Sequence, residues 1–176
     1  MDTNTIRIVM LGNSITNAGN WNELLGRKDV LNAGLSGWTT GELLKVVNKY
    51  IAPHKPIICF YKAGINDFSM GIGSESVEKN NKQILESIYE YGTIPVYQTL
   101  LYYFGDNSLN REIDALNRRM EEFTKHRGFE FLDLRPYLCR NGDLREEYSY
   151  DGVHLTESAY IPWANALIPI IEKYGI

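Results

Sequence analysis

Strand-length apolar runs alternate with longer segments of helical period along the whole chain, a pattern best satisfied by α/β units around a mostly parallel sheet. Residues 6–11, 30–33, 57–62, 94–101 and 130–132 read as five strands, each bounded by Gly, Pro, Asn or charged residues. The middle runs are almost continuously hydrophobic, as befits strands covered on both faces. Between them, Leu109, Ile113, Leu116, Met120 and Phe123 recur at helical spacing among charged residues. That stripe predicts an amphipathic helix lying on the sheet, closed by Lys125, His126 and Arg127 at its negative end and by Gly128 as cap. Further helices are expected over residues 76–91, 41–52 and 157–174, the last kinked or broken at Pro162 and Pro169.

With 176 residues, 44% of them hydrophobic, the chain suffices for one domain over residues 1–176 with a full core. Eighteen basic against twenty-two acidic residues give a net charge of −4, scattered along the sequence, which leaves no footprint for a nucleic-acid backbone. No apolar run approaches a membrane span: the one at residues 56–61 stops at Lys62. Met1 to Arg7 has neither a basic region nor a long apolar stretch, so a cytoplasmic location is expected for the sequence as given. Cys59 and Cys139 form neither a disulfide framework nor a paired metal-binding spacing.

Ligands of open α/β sheets bind outside the carboxyl ends of the strands, so the residues just after each strand carry the functional information. After the first comes Gly12-Asn13-Ser14-Ile15-Thr16. Ser14 is placed as a nucleophile, although Asn13 or Ser14 also suits a helix N-cap. The segment is neither a phosphate loop nor a G-x-S-x-G elbow. Near the other end, Asp151-Gly152-Val153-His154 sets a carboxylate three residues before an imidazole. Such a carboxylate can orient one ring nitrogen and leave the other for a hydroxyl, yet an exposed turn aspartate and a core histidine would read the same way. Asn32-Ala33-Gly34-Leu35-Ser36-Gly37 and Gly64-Ile65-Asn66-Asp67 follow the second and third strands. Their glycines and Asn66 suit ordinary turns, and equally offer N–H donors to a developing oxyanion.

These four segments, in this order, resemble the conserved blocks of the SGNH, or GDSL-type, hydrolases, and they span Gly12 to His154. The resemblance implies a flavodoxin-like three-layer α/β/α fold and a serine esterase that needs no metal or organic cofactor. It assigns Ser14 as nucleophile, Asp151 and His154 as its catalytic partners, and Ser14, Gly37 and Asn66 as oxyanion-hole donors. Two departures stand out. Asn13 occupies the usual Asp position, where an amide can still hydrogen-bond, and Trp38 replaces a residue that is often polar. Asn13, Trp38, Tyr102 and Tyr103 are candidate substrate contacts, with Phe104, Tyr148 and Tyr150 as further aromatics near the same crevice.

The expected partner is a small-molecule ester. Without a long apolar insertion, a small acyl group such as acetyl on a carbohydrate is favoured over the lipid of a lysophospholipase or the thioester of an acyl thioesterase. Two other classes compete. A metal-dependent phosphoesterase would draw ligands from Asn66, Asp67, Asp151 and His154, and an inactive hydrolase scaffold would serve as a ligand-binding module.

Overall fold

The computed structural model describes residues 5–176; residues 1–4, part of the segment read as lacking a secretory leader, lie outside that range. Five strands, β1 (Ile8–Gly12), β2 (Val30–Gly34), β3 (Ile58–Lys62), β4 (Ile94–Gln98) and β5 (Glu130–Leu132), form one sheet in the order β2-β1-β3-β4-β5. Every neighbouring pair is parallel. Successive side chains of a strand face opposite ways, and here each face finds a helical layer. The Tyr61 hydroxyl donates to Asn81 on α6 (Ser74–Glu90), whereas its neighbour Lys62 reaches Trp163 on α9 (Glu157–Lys173). On β4, Tyr97 sits beside Tyr61, and Gln98 accepts from Trp163. Burial on both sides explains why these strands read as unbroken apolar runs.

The sheet lies where the sequence placed it, but several boundaries move. The fourth strand ends at Gln98 instead of residue 101, because Asn117 of α7 (Asn107–Arg127) takes both the N–H and the carbonyl of Leu100. The helix expected over residues 41–52 is two helices, α3 (Thr40–Leu44) and α4 (Val47–Ile51). Its last turn tightens to i→i+3 bonds, Lys45 to Glu42 and Val46 to Leu43, and Val46 leaves helical geometry at φ −124°. Of the kink or break expected in the last helix, the break is absent: α9 runs through Pro162 and Pro169. Each proline strips a hydrogen bond from the carbonyl four residues earlier, but Ser158 and Asn165 sit on the exposed side, where solvent can satisfy it.

A short hairpin, β6 (Cys139–Arg140) with β7 (Asp143–Leu144), went unread in the sequence. Asn141 and Gly142 turn it with φ of 54° and 82°, the two positive values that an Asn-Gly type I′ turn requires. Both cysteines are unpaired. Among the described residues no helix is long and apolar enough to cross a membrane.

Lys62, at the carboxyl end of β3, is 1% exposed and has no carboxylate partner among the described residues; its ammonium lies 5.5 Å from the Trp163 ring centroid. Burial pushes its pKa down to about 8, against a smaller opposite pull from Cys139. A folded-state value below the unfolded 10.5 means that the ammonium costs stability below pH 8, and that this cost fades as pH rises from 8 towards 10.5. We expect Lys62→Met to stabilise the fold by about 2 kcal/mol at pH 7, the desolvation gain less the lost cation–π contact. Urea unfolding of both proteins at pH 7 and 9.5 checks this; an advantage that does not shrink at the higher pH would contradict it.

Candidate functional site

The chain leaves β1 towards β2 on one side and continues with β3 on the other, so the carboxyl end of β1 is the point where the winding reverses, the usual crevice for a ligand. Register aligns the three strand ends: Gly12 pairs with Gly34 on one side and with Lys62 on the other. Both glycines permit contacts that no side chain would. A Cβ on Gly12 would sit 2.2 Å from Thr16 Oγ1 and 2.5 Å from the Lys62 carbonyl, and one on Gly34 would sit 2.2 Å from the Asn17 backbone nitrogen. The turn α1 (Ser14–Asn17) is thereby pressed onto the sheet edge, where Asn17 also donates to the Gly34 carbonyl at 2.8 Å.

Ser14 opens this turn. Its Oγ lies 3.2 Å from His154 Nε2, and His154 Nδ1 lies 2.6 Å from Asp151 Oδ2. Asp151 Oδ1 accepts the backbone N–H groups of Val153 and His154, at 2.9 and 2.7 Å. Carboxylate and imidazole are thus fixed as one unit. Burial alone would raise the Asp151 carboxyl, but the hydrogen bonds from the His154 ring and the two backbone N–H groups outweigh it and hold the pKa below the usual carboxylate value. Asp151 is therefore charged at neutral pH. Ser149 steadies the same loop: its hydroxyl donates to the His154 carbonyl and accepts the Gly152 N–H.

Donor groups gather on the facing loops. Gly37 adopts φ +80°, and neither its N–H nor that of Ser14 has a protein acceptor among the described residues. Asn66, in α5 (Ile65–Ser69), donates one amide hydrogen to the Trp38 carbonyl at 2.8 Å, which leaves its second N–H free. The adjacent Asp67 is fully buried and accepts both the N–H and the hydroxyl of Thr40, at 2.9 and 2.6 Å. Burial pushes its carboxyl above the ordinary value, with Thr40 pulling the other way. This carboxylate ties α5 to the start of α3, so the two donor-bearing loops form one assembly. An array of hydroxyl, imidazole, carboxylate and preset N–H donors can carry out acyl transfer.

The other residues singled out in the sequence take varied places. Asn13 is wholly buried: its Oδ1 lies 3.4 Å from the Ile15 N–H, and its Nδ2 has no partner among the described residues. Its side chain shapes the turn that carries Ser14. Tyr103 donates to or accepts from Ser69 at 2.6 Å, bridging the loop after β4 to the helix that carries Asn66. Tyr102 is drawn into an ion-paired network with Asp114 and Arg135 and lines a cavity beside α7. Trp38 contributes its backbone carbonyl, and its partly buried ring packs against the core. The tie made by Asp67 and the bracing by Ser149 were not read from the sequence. The Asn-Asp pair after a strand-exit glycine was the available signal for the first, and nothing local marks the second.

No group of three or more His, Cys, Asp or Glu residues is placed to hold a metal ion among the described residues. Of the ligands such a site would need, Asp67 has its carboxylate committed to Thr40.

Solved structures share this fold. A GDSL-like lipase from Bacteroides thetaiotaomicron superposes with a TM-score of 0.82 at 23% identity, over 96% of this chain and 89% of that one. A catalytic mutant of an acetylxylan esterase from Geobacillus stearothermophilus superposes with a TM-score of 0.80 at 15% identity, over 98% and 95%. In sequence, the chain is 26% identical over 101 residues to an N-acylneuraminate cytidylyltransferase from Streptococcus agalactiae, a match covering 57% of this chain and 24% of that much longer protein. The model of the GDSL-like lipase/acylhydrolase family matches residues 10–160. Ser14, Asp151 and His154 all fall inside that match, and the chain belongs to the GDSL-like lipase/acylhydrolase family, a family of esterase-type hydrolases.

Proposed function

We propose that the chain hydrolyses small carboxylic esters through an acyl-enzyme on Ser14, and that its substrates are acetylated carbohydrates. The observation that carries this reading is the unbroken series of contacts from Ser14 through His154 to Asp151. Ser14 Oγ attacks the ester carbonyl carbon while His154 Nε2 takes its proton, and Asp151 stabilises the imidazolium that forms. The N–H groups of Ser14 and Gly37 and the Asn66 amide receive the negative charge developing on the carbonyl oxygen. As the intermediate collapses, the proton passes from His154 to the departing alkoxide. A water molecule then attacks the acyl-enzyme, with His154 again as base, and releases the carboxylic acid and free Ser14.

Two features support the carbohydrate class. The side chains of His154 and Asp151 are 41% and 42% exposed, so the leaving-group side of the site is open to a bulky polar alcohol. Among proteins of this fold is an acetylxylan esterase, and the Streptococcus agalactiae relatives are named for an acylated sugar acid. We expect kcat/KM to be at least about tenfold higher for acetyl than for decanoyl esters of p-nitrophenol, since beside the exposed His154 and Asp151 side chains a long chain stays largely in water and recovers little burial energy. Acetylated glucose, mannose and xylose should be deacetylated by the same preparation. A preference for the decanoyl ester would overturn the small-acyl reading.

A further inference from the structure

Beside the hydroxyl–imidazole–carboxylate array, a second concavity of about 310 Å³ is walled by Phe104, Glu146, Ser149, Tyr150, Asp151 and Gly152. We propose that it is a binding site for a further sugar residue of an oligosaccharide, adjoining the one that carries the ester; this rests on the carbohydrate reading above. Its volume lies at the low end of ligand sites, a size that suits one ring and not a whole chain.

The walls have the chemistry a pyranose needs. Tyr150 is 70% exposed and Phe104 49%, so both walls offer aromatic surface to a ligand. Tyr150 lies nearly parallel to the His154 imidazole, at 13° with centroids 6.0 Å apart, so its orientation is set by the acid–base residue itself. Phe104 is held by its backbone N–H, which donates to the Gly152 carbonyl at 2.9 Å, and the Asn-Gly hairpin braces that loop through Asp143, which accepts the Gly105 N–H at 3.0 Å. The Phe104 backbone and the Tyr150 ring are thus both placed at this concavity by contacts within the protein. Aromatic faces pack against the apolar C–H face of a sugar, while its equatorial hydroxyls require acceptors. Glu146 supplies one: its carboxylate is exposed and, unlike the neighbouring Glu147, has no ion-pair partner among the described residues. An acyl chain, by contrast, would leave Glu146 and Asp151 facing hydrocarbon, and that costs free energy.

The test compares acetylated monosaccharides with acetylated tetrasaccharides of the same sugar, in the full chain and in Phe104→Ala, Glu146→Gln and Glu146→Ala. Tetrasaccharides should be deacetylated with a kcat/KM about tenfold higher, and Phe104→Ala should return that ratio towards one, mainly through KM. Glu146→Gln, which retains an acceptor oxygen, should leave more of the ratio than Glu146→Ala. Equal efficiency on short and long sugars overturns the second site while leaving the carbohydrate reading intact. Failure to deacetylate any sugar, with p-nitrophenyl acetate still hydrolysed, overturns both. A Phe104-dependent gain on lengthening the acyl chain instead of the sugar would assign the concavity to lipid and sink the proposal.

Discussion

Replacing Ser14 by Ala is expected to lower kcat/KM for p-nitrophenyl acetate by about 10⁴-fold or more and to abolish covalent labelling by a fluorophosphonate. The effect is expected to be large because in the proposed mechanism the Ser14 hydroxyl is the attacking atom. The other serine of the site, Ser149, has its hydroxyl engaged on both sides, donating to the His154 carbonyl and accepting the Gly152 N–H. Removing Oγ from Ser14 should leave the fold in place, since among the described residues its only side-chain hydrogen bond is the one to His154. Far-UV circular dichroism and the urea midpoint should match the parent. If the purified variant turned over at the parental rate, or if the label were recovered on Ser149, Ser14 would not be the nucleophile. An absence of labelling in the parent protein would favour a ligand-binding scaffold over an enzyme.

Asp151→Asn is expected to cost about as much, on the order of 10⁴-fold in kcat, although it changes neither size nor shape. The two oxygens of Asp151 do different work: Oδ1 accepts two backbone N–H groups, and Oδ2 faces His154 Nδ1. An asparagine keeps its oxygen on the backbone donors, where an amide nitrogen would have nothing to accept it, and so presents NH₂ to the ring. That donor demands an unprotonated Nδ1 and drives the proton onto Nε2, the nitrogen that must receive the Ser14 proton. The ring would then meet the hydroxyl as a donor instead of as a base. Single-turnover kinetics with a p-nitrophenyl ester should place the loss in acylation, and ¹⁵N chemical shifts of the imidazole should report the reversed tautomer. A fall of less than about tenfold would reduce Asp151 to a structural turn residue.

Most of this arrangement could be read from residue order because the informative segments are local. Buried parallel strands carry their own signature, so β1 to β5 were recognisable from their apolar runs. Asp151 and His154 are three residues apart, and a single turn fixes their contact. What escaped depended on partners distant in sequence. The fourth strand stops early because Asn117, on another helix, captures Leu100, and no local propensity records that competition. Prolines at 162 and 169 predicted a break, but the cost of the bonds they remove depends on which carbonyls face water, a property of the packed helix and not of the proline. Trp38 invited attention for its ring, whereas its contact with Asn66 is made by the backbone carbonyl, which every residue type possesses. The hairpin at residues 139–144 is a different case: Asn141-Gly142 announces it, but two-residue strands are too short to stand out by alternation.

The hydroxyl of Ser14 and the ring of His154 meet although they lie 140 positions apart in the sequence. During synthesis the serine leaves the ribosome long before the loop bearing Asp151 and His154 exists, so the nascent chain carries an unactivated alcohol no more reactive than any other. On the proposed mechanism, esterolysis switches on only when that loop reaches Ser14, and a proteolytic nick that releases residues after Leu144 would carry away Asp151 and His154 together with α9, the helix that covers one face of the sheet.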